Sequence, residues 1–205
     1  MNQPLTGAEA LASYAIGRQI GEQLQGQPFP GLQIDALLQG LGAVLRGEAS
    51  PYKEDELRGA MDELNRRVQR MQKQQANSMA AAGEQFLKQN AGKPGIITTA
   101  SGLQYEVLQA GAGKTPQAGS TVRVHYHGTL IDGTVFDSSV QRGEPLEFPV
   151  NGVISGWTEA LQLMQEGSRW KLYIPHELGY GARGAGGAIG PYSTLIFEVE
   201  LLGVL

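Results

Sequence analysis

The sequence predicts an α+β protein in which an all-α N-terminal domain and a long connecting helix precede an antiparallel sheet with one short helix. Two observations lead to this fold class. Apolar residues recur in steps of three and four before about residue 92, and they alternate with polar residues after Leu103. No proline lies between Pro51 and Pro94, so one helix can fill that interval. We therefore divide the chain into residues 1–50, 51–92 and 95–205.

Composition excludes several classes of function. The chain has 205 residues, 41% of them hydrophobic, and a net charge of −4, which fits a globular protein and gives no basic surface for nucleic acid. It has no cysteine, so disulfides, thiolate nucleophiles and Cys-ligated zinc are excluded. No stretch has the pattern of a secretory signal or a membrane span. We expect no membrane partner and a cytoplasmic location, with the periplasm as the alternative.

Two helices are predicted in residues 1–50. Thr6 and Glu9 have the spacing of a capping box at the start of a helix that runs to about Gln25. A Gln-Pro-Phe-Pro-Gly break at 27–31 ends this helix. Helical spacing then returns until Gly47, which suits a C-terminal stop. The apolar positions of this second helix are Ile34, Leu37, Leu38, Leu41 and Leu45.

The third predicted helix is unusually long. Ser50 as the cap, Pro51 at the first helical position and acidic residues in the first turn mark its start. Up to Pro94 it spans roughly 60 Å at 1.5 Å per residue. Its apolar positions are Leu57, Met61, Leu64, Val68 and Met71, and the same seam continues as Gln75, Ser78 and Ala82. We predict a packed first part and a solvated outer stalk; the alternative is a helix folded back on its own domain.

Three helices with so few large side chains form a thin core. A helical unit of about 90 residues with an exposed seam commonly gains stability by pairing with a second copy. We therefore expect residues 1–50 to act as a dimerisation domain in a homodimer, with the monomer as the alternative.

The pattern changes to strands after Leu103. Leu103, Tyr105 and Val107 alternate with polar neighbours. In the next strand Val122, Val124 and Tyr126 share one face, whereas Arg123, His125 and His127 share the other. We therefore expect the Tyr126 side chain to point inward and both histidines to point outward.

The remaining strands and one helix complete the sheet. Asp132-Gly133 is a hairpin signal between two strands, and Thr158–Glu166 has helical character closed by Gly167. Further alternating strands hold Trp170, Leu172 and Ile174, and Leu195, Phe197, Val199 and Leu201. One short helix against a sheet of four to six strands is an α+β architecture.

Five motifs carry a family resemblance across this C-terminal part. They are Val-His-Tyr-His-Gly at 124–128, Gly-Thr-Val-Phe-Asp-Ser-Ser at 133–139, Val-Ile-Ser-Gly-Trp at 153–157, Gly-Tyr-Gly at 179–181 and Leu-Ile-Phe-Glu-Val-Glu-Leu-Leu at 195–202. In order and spacing they resemble the FKBP-type peptidyl-prolyl cis-trans isomerases. The helical extension resembles the two-domain subgroup similar to macrophage infectivity potentiators, whose members are V-shaped dimers.

The resemblance implies a set of site residues. Trp157 would form the floor of a proline pocket, with walls from Tyr126, Phe136, Val153, Ile154, Leu146, Phe148 and Phe197. Tyr180 and the Ile154 N–H would hydrogen-bond substrate carbonyls. Asp137, held by Tyr126 and Arg142, would face the rotating carbonyl, and Ile189 in a flap at 181–191 would touch substrate. Leu146, Gly179, Ala185 and Ala188 depart from common family residues.

The resemblance also implies an activity and partners. The chain would be a rotamase that accelerates X-Pro rotation in peptides and unfolded proteins, without a cofactor or metal, and would act as a folding helper. Rapamycin-type macrolides are expected inhibitors. The alternative function is a chaperone or proline-peptide binding module with incidental catalysis.

Other interpretations of the same residues are weaker. The Gly-rich stretch 181–190 runs into Pro191 and a strand rather than a helix, so it does not resemble a phosphate loop. His125, His127 and His176 are a possible metal set, but a solvated strand face explains the first two. Asp137 could instead cap the turn with Ser138 and Ser139. A Ser-His-Asp hydrolase is disfavoured because no Gly-x-Ser-x-Gly elbow is present.

Overall fold

The computed structural model describes residues 5–25 and 30–205 and divides into two compact units, residues 1–73 and 74–205. Three helices come first: α1 (Ala8–Gln25), α2 (Ile34–Leu45) and α3 (Glu54–Ala91), the last of which continues from the first unit into the second. The second unit adds the strands and two short helices. These are β1 (Ile96–Thr98), β2 (Gln104–Gln109), β3 (Thr121–Leu130), β4 (Val135–Ser138), α4 (Ser139–Arg142), β5 (Leu146–Pro149), α5 (Ser155–Leu161), β6 (Arg169–Ile174) and β7 (Leu195–Val204).

The helices of the first unit follow the predicted pattern but bury no side chain completely. Neither α1 nor α2 contains a buried residue. The α2 helix ends at Leu45, and Gly47 has a φ of +72°, which confirms the predicted stop. Residues 27–29 of the predicted break lie outside the described residues. No helix in the described ranges combines the length and apolar character needed to cross a bilayer.

The start of α3 differs from the prediction. The helix begins at Glu54, so Pro51 is not its first residue, and the Ser50 hydroxyl accepts a hydrogen bond from the Tyr52 N–H (3.2 Å). The Lys53 N–H donates to the Glu56 carboxylate at 3.0 Å. This is the reciprocal half of a capping box, so Lys53 occupies the cap position and Glu56 supplies the acceptor.

The expectation of a solvated outer stalk is wrong. Ala76, Gly83 and Asn90 of α3 are buried, each seven residues from the last. Half-buried residues flank this face at 79, 80, 86 and 87, whereas the predicted seam of Gln75, Ser78 and Ala82 is exposed. The packed face therefore lies one position further along the sequence. Its buried positions hold only small and amide side chains, and the large apolar residues at its edges, Met79, Phe86 and Leu87, do not belong to the predicted seam.

One antiparallel sheet of seven strands forms the second unit, one strand more than the predicted maximum. Its order is β1-β2-β6-β7-β3-β4, and β5 also pairs with β3. The outer edge of β3 is thus shared: Thr121–Val124 pair with β5, and His127–Thr129 pair with β4. The α+β fold class is confirmed.

The predicted strand faces are also confirmed. Val122, Val124 and Tyr126 are buried, Arg123 is exposed, and both histidines of β3 are half-buried on the opposite face. The buried face continues across the sheet. Its fully buried members include Leu103, Leu172, Ile174, Leu195, Val199 and Leu201.

The α5 helix covers this face and is shorter than predicted. It runs from Ser155 to Leu161 rather than from Thr158 to Glu166. Its close approach to the sheet depends on Gly156, where a Cβ would lie 2.6 Å from Cγ2 of Ile174. The resulting packing places Trp157, 5% exposed, against the sheet.

We predict that Gly111→Ala destabilises the second unit. A Cβ at Gly111 would clash with the carbonyl oxygen of Glu166 and would lie 2.6 Å from the Ser168 amide nitrogen. Relieving such a backbone clash costs about 1–3 kcal/mol. Urea unfolding, monitored by tryptophan fluorescence, measures the loss in the free energy of unfolding. Gly119→Ala is the matched control because nothing lies within 4 Å of its Cβ; equal stability of the two variants would contradict this account of the packing.

Candidate active site

A cavity of about 650 Å³ opens on the second unit between the sheet, α5 and the loop after β6. All predicted site residues except Arg142 line it. The lining comprises Tyr126, Phe136, Asp137, Leu146, Phe148, Gly152, Val153, Ile154, Trp157, Tyr180, Ala185, Gly186, Ala188, Ile189 and Phe197. Only one of these side chains, that of Asp137, is a carboxylate, so the cavity is mostly apolar with one charged group.

Trp157 and the rings that surround it form the floor. The Tyr126 and Phe197 rings meet the indole edge-on, with centroids at 5.4 and 5.1 Å. Phe148 lies on a further side at 5.6 Å. Such edge-to-face contacts are the favoured geometry for aromatic pairs. The Nε1 atom of Trp157 is buried and has no hydrogen-bond partner among the described residues, so the floor is held by ring packing.

Phe136 and Phe197 form one wall, and Gly128 allows them to meet. Their ring centroids are 5.3 Å apart at an interplanar angle of 83°. A Cβ at Gly128 would lie 2.7–2.8 Å from atoms of both rings. A side chain at this position of β3 would therefore push the rings apart.

The Asp137 carboxylate is held from two sides. One oxygen accepts a hydrogen bond from the Tyr126 hydroxyl at 2.5 Å, and the other accepts one from the Arg142 guanidinium. Arg142 also donates to the Tyr126 hydroxyl at 2.9 Å. Arg142 thus lies behind the carboxylate rather than in the cavity. These contacts fix the orientation of a side chain that is 43% exposed.

The two serines after Asp137 perform the turn functions that Asp137 itself could have had. Ser138 is the cap of α4, and its hydroxyl accepts from the Gln141 N–H at 3.2 Å. The Ser139 hydroxyl accepts from the Tyr126 N–H at 2.7 Å and lies 3.2 Å from the Tyr126 carbonyl oxygen. The turn is therefore capped without the Asp137 carboxylate, which is left to face the cavity.

The charge of Asp137 follows from these contacts. Partial burial raises the pKa of Asp137, but the hydrogen bonds from Tyr126 and Arg142 and the positive charge of Arg142 outweigh that effect, so the pKa lies below its ordinary value. Burial, followed by the hydrogen bond to Asp137, raises the pKa of Tyr126. At neutral pH the pair is an ionised carboxylate and a neutral phenol.

The loop after Gly179 closes one side of the cavity. Ala185 and Ile189 exchange two backbone hydrogen bonds at 2.9 and 3.0 Å, which makes a tight loop whose Ile189 side chain is 9% exposed. Tyr180 precedes this loop and is 40% exposed. On the opposite side, the Ile154 N–H donates to no protein group among the described residues, as a substrate-binding amide requires.

The three histidines have separate neighbours and do not form a common site. The Nδ1 atoms of His125 and His127 each lie 3.0 Å from a serine hydroxyl, Ser139 and Ser138 respectively. His176 instead packs edge-on against Tyr192. Within residues 5–25 and 30–205, no cluster of three or more His, Cys, Asp or Glu side chains has the arrangement of a metal site.

Sequence reasoning did not identify Gly128, Gly152 or Ser139. A glycine within the alternating pattern of β3 is a recognised sign of close approach by other groups, so Gly128 could have been found. Ser139 could not, because its role depends on a gap in the pairing of β3 that only the register of β4 and β5 shows.

Comparison with known proteins identifies the family. Residues 112–202 match the model of the family described as "FKBP-type peptidyl-prolyl cis-trans isomerase", and residues 9–107 match that of the "Domain amino terminal to FKBP-type peptidyl-prolyl isomerase". The chain is 52% identical over 197 residues to the FKBP-type 22 kDa peptidyl-prolyl cis-trans isomerase of Escherichia coli, with 96% of each chain covered. The chain belongs to the FKBP-type peptidyl-prolyl cis-trans isomerases.

Further FKBP-type relatives match over nearly the whole chain. The Outer membrane protein MIP of Legionella longbeachae is 41% identical over 204 residues, which cover 98% of this chain and 87% of that protein. The crystal structure of FkpA from Escherichia coli matches with a TM-score of 0.75 and 36% identity, with 98% of each chain covered. The chain is thus a peptidyl-prolyl cis-trans isomerase with a helical N-terminal region, as the sequence motifs predicted.

We predict that Asp137 stays ionised between pH 5 and 8, so its titration does not change the isomerase activity in that range. A lowered pKa keeps the carboxylate ionised across that range, and its contribution is lost only as the pH falls through that lowered value, below the ordinary value of about 3.9. Exchange NMR on an X-Pro tetrapeptide measures the rate at each pH. A titration between pH 5 and 8 that is absent from Asp137→Asn would contradict the assigned charge state.

Proposed function

We propose that the chain accelerates X-Pro rotation without a covalent intermediate, by binding the proline ring in the aromatic cavity beside the Asp137 carboxylate. Rotation of an X-Pro bond is slow because it destroys amide resonance, with a barrier of about 18–20 kcal/mol. A twisted imide has less charge separation than a planar one. An apolar cavity therefore favours the twisted form relative to water, which lowers the barrier.

One observation carries this proposal: the cavity contains a single carboxylate, fixed by Tyr126 and Arg142, among six aromatic side chains. Such a group does not have to reorganise as the imide rotates, so its electric field acts throughout the reaction. The described residues of the lining include no serine, threonine, lysine or histidine. Ser138 and Ser139 are engaged by the backbone, so the site favours rotation over acyl transfer.

We predict that Asp137→Asn lowers kcat/KM for an X-Pro tetrapeptide by about 10- to 100-fold. A charge-assisted hydrogen bond contributes about 1.5–3 kcal/mol, and each 1.36 kcal/mol changes a rate tenfold. Asp132→Asn is the matched control, since Asp132 is an exposed carboxylate in the neighbouring hairpin that accepts a hydrogen bond from the Thr134 N–H. Its activity should stay within about twofold of the unaltered chain, with folding verified by circular dichroism.

The same experiment separates catalysis from binding alone. If the chain were only a proline-peptide binding module, the unaltered protein would bind the peptide without raising the cis/trans exchange rate of its X-Pro bond. A rate in Asp137→Asn equal to that of Asp132→Asn would instead show that the carboxylate is dispensable, and the apolar cavity would be left as the source of the acceleration.

The cavity entrance favours a range of proline-containing ligands. Leu146 at the rim is 44% exposed, and Ala185 and Ala188 line the loop side with minimal side chains. We propose that unfolded chains with varied residues before proline are substrates. Rapamycin-type macrolides, which the sequence also implies, are proposed to occupy the same cavity.

We propose that the first unit pairs with a second copy of this chain. Many of its large apolar side chains are exposed, among them Ile34, Leu38 and Leu45, which lie on one face of α2 with 65%, 57% and 78% of their surfaces accessible. Contiguous apolar surface of this kind marks an interface. A homodimer would carry two cavities on one assembly and so raise the effective concentration for a long unfolded chain, which supports a role as a folding helper.

We predict that the full chain has about twice its 21.9 kDa mass in solution and that Leu38→Glu yields the single-chain mass. A buried unpaired carboxylate disfavours the interface strongly. Light scattering after size exclusion measures the mass, with Gln39→Glu as the control for added charge on the same helix. The Leu38→Glu variant should keep its activity on a tetrapeptide and lose efficiency on a proline-limited refolding protein.

A mass of 21.9 kDa for the unaltered chain at every concentration tested would contradict the pairing proposal and leave the isomerase assignment intact. The cytoplasmic location, with the periplasm as its alternative, stays a prediction from the sequence.

A further inference from the structure

The C-terminal end of α3 is fastened to the sheet by a buried pair of amides. The Asn90 side-chain N–H donates to the Gln104 side-chain oxygen at 3.0 Å, and the Gln104 amide donates in turn to the Leu87 carbonyl at 2.9 Å. Asn90 is fully buried and Gln104 is 4% exposed. The Phe86 ring also packs at 6.0 Å from that of Tyr173. These contacts fix which face of α3 meets the rest of the second unit.

The same face of α3 touches the segment that follows the cavity loop. A Cβ at Gly83 would clash with the Thr194 hydroxyl and lie 3.3 Å from the Thr194 Cβ. One turn earlier, the Met79 thioether lies against Gly190, where a Cβ would be 3.0 Å from the methionine Cε. The helix therefore contacts both ends of the 190–194 segment.

This segment is tied to the cavity loop by its own hydrogen bonds. The Tyr192 N–H donates to the Gly181 carbonyl at 2.8 Å, and the Ser193 hydroxyl donates to the Gly190 carbonyl at 2.8 Å. Tyr192 has a φ of +57°, which a bulky residue adopts only when surrounding contacts enforce it. Both ends of the loop 181–190 are thus anchored at the segment that α3 contacts.

Ile189 connects this anchor to the substrate cavity. It precedes Gly190, is 9% exposed and lines the cavity. Because interiors are close-packed, a shift of Gly190 is passed to Ile189. Tyr126, Asp137 and Arg142 lie on β3, β4 and α4, and the hydrogen bonds that hold this group run among its own three side chains.

We propose that Gly83 and Met79 of α3 are positioning residues for substrate binding, which hold the 190–194 segment and through it Ile189 against the cavity. Gly83 is required because Thr194 is β-branched, 3% exposed and so unable to turn away. A side chain at Gly83 displaces the segment. The isomerase then keeps its carboxylate in place but loses the fit of one cavity wall.

The test is Gly83→Ala in the full chain, with kcat and KM measured separately by exchange NMR on an Ala-Leu-Pro-Phe tetrapeptide. We expect KM to rise at least threefold and kcat to stay within twofold. Gly59→Ala is the matched control, since it lies in the same helix with nothing within 4 Å of its Cβ, and it should leave both constants unchanged. The inference rests on the isomerase activity. The Gly59→Ala protein tests that activity independently, because an inactive control would contradict the isomerase function rather than the role of Gly83.

Rescue by a second substitution distinguishes positioning from loss of folded protein. Thr194→Ala removes the hydroxyl that the methyl group introduced by Gly83→Ala would meet, so the double variant should return to within twofold of the KM of Thr194→Ala alone. Met79→Ala should also raise KM, whereas Met71→Ala, at a position 55% exposed in the same helix, should not. An unchanged KM in Gly83→Ala overturns the proposal, whether kcat is unchanged or lowered by a smaller folded fraction. A raised KM that Thr194→Ala fails to restore overturns it as well.

Discussion

The site depends on a gap in the pairing of β3. Between the stretch that pairs with β5 and the stretch that pairs with β4, the backbone of Tyr126 has no strand partner on that edge, and the Ser139 hydroxyl takes that place. An unpaired buried N–H costs about 1–3 kcal/mol, so the chain must bring Ser139 to this point. The position of Ser139 in turn places Asp137, two residues earlier, beside the Tyr126 hydroxyl.

Tyr126 therefore couples the core to the chemistry. Its ring packs against Trp157 and Phe197 on the buried face of the sheet, while its hydroxyl donates to Asp137 at the cavity rim. The aromatic floor and the carboxylate cannot shift independently. This coupling explains how an apolar cavity holds an ionised group: the carboxylate is satisfied by Tyr126 and Arg142 before any substrate enters, so substrate binding does not have to desolvate it alone.

The sequence predicted most of the cavity because alternation in strands determines which side chains face inward. Tyr126 and Phe197 follow from that rule, and the family resemblance supplied Asp137 and Ile189. The helix face at Ala76, Gly83 and Asn90 was missed because its buried centre contains no large apolar residue, and the large side chains at its edges, Met79, Phe86 and Leu87, lie off the predicted seam. A lone glycine within a helix costs about 1 kcal/mol relative to alanine, but it does not by itself reveal the contact, since Gly59 of the same helix has nothing within 4 Å of its Cβ.

The buried amides that fasten α3 favour a fixed geometry over maximum stability. Asn90 leaves its side-chain oxygen without a partner among the described residues, which an apolar pair would avoid. An apolar contact, however, has no direction and would tolerate rotation of the helix. The hydrogen bond to Gln104 selects one rotation, and only near that rotation can Gly83 pass Thr194 without a clash. Because both partners are neutral amides, this docking does not depend on pH. The charge of the Asp137 carboxylate is likewise constant near neutral pH, because its pKa is lowered.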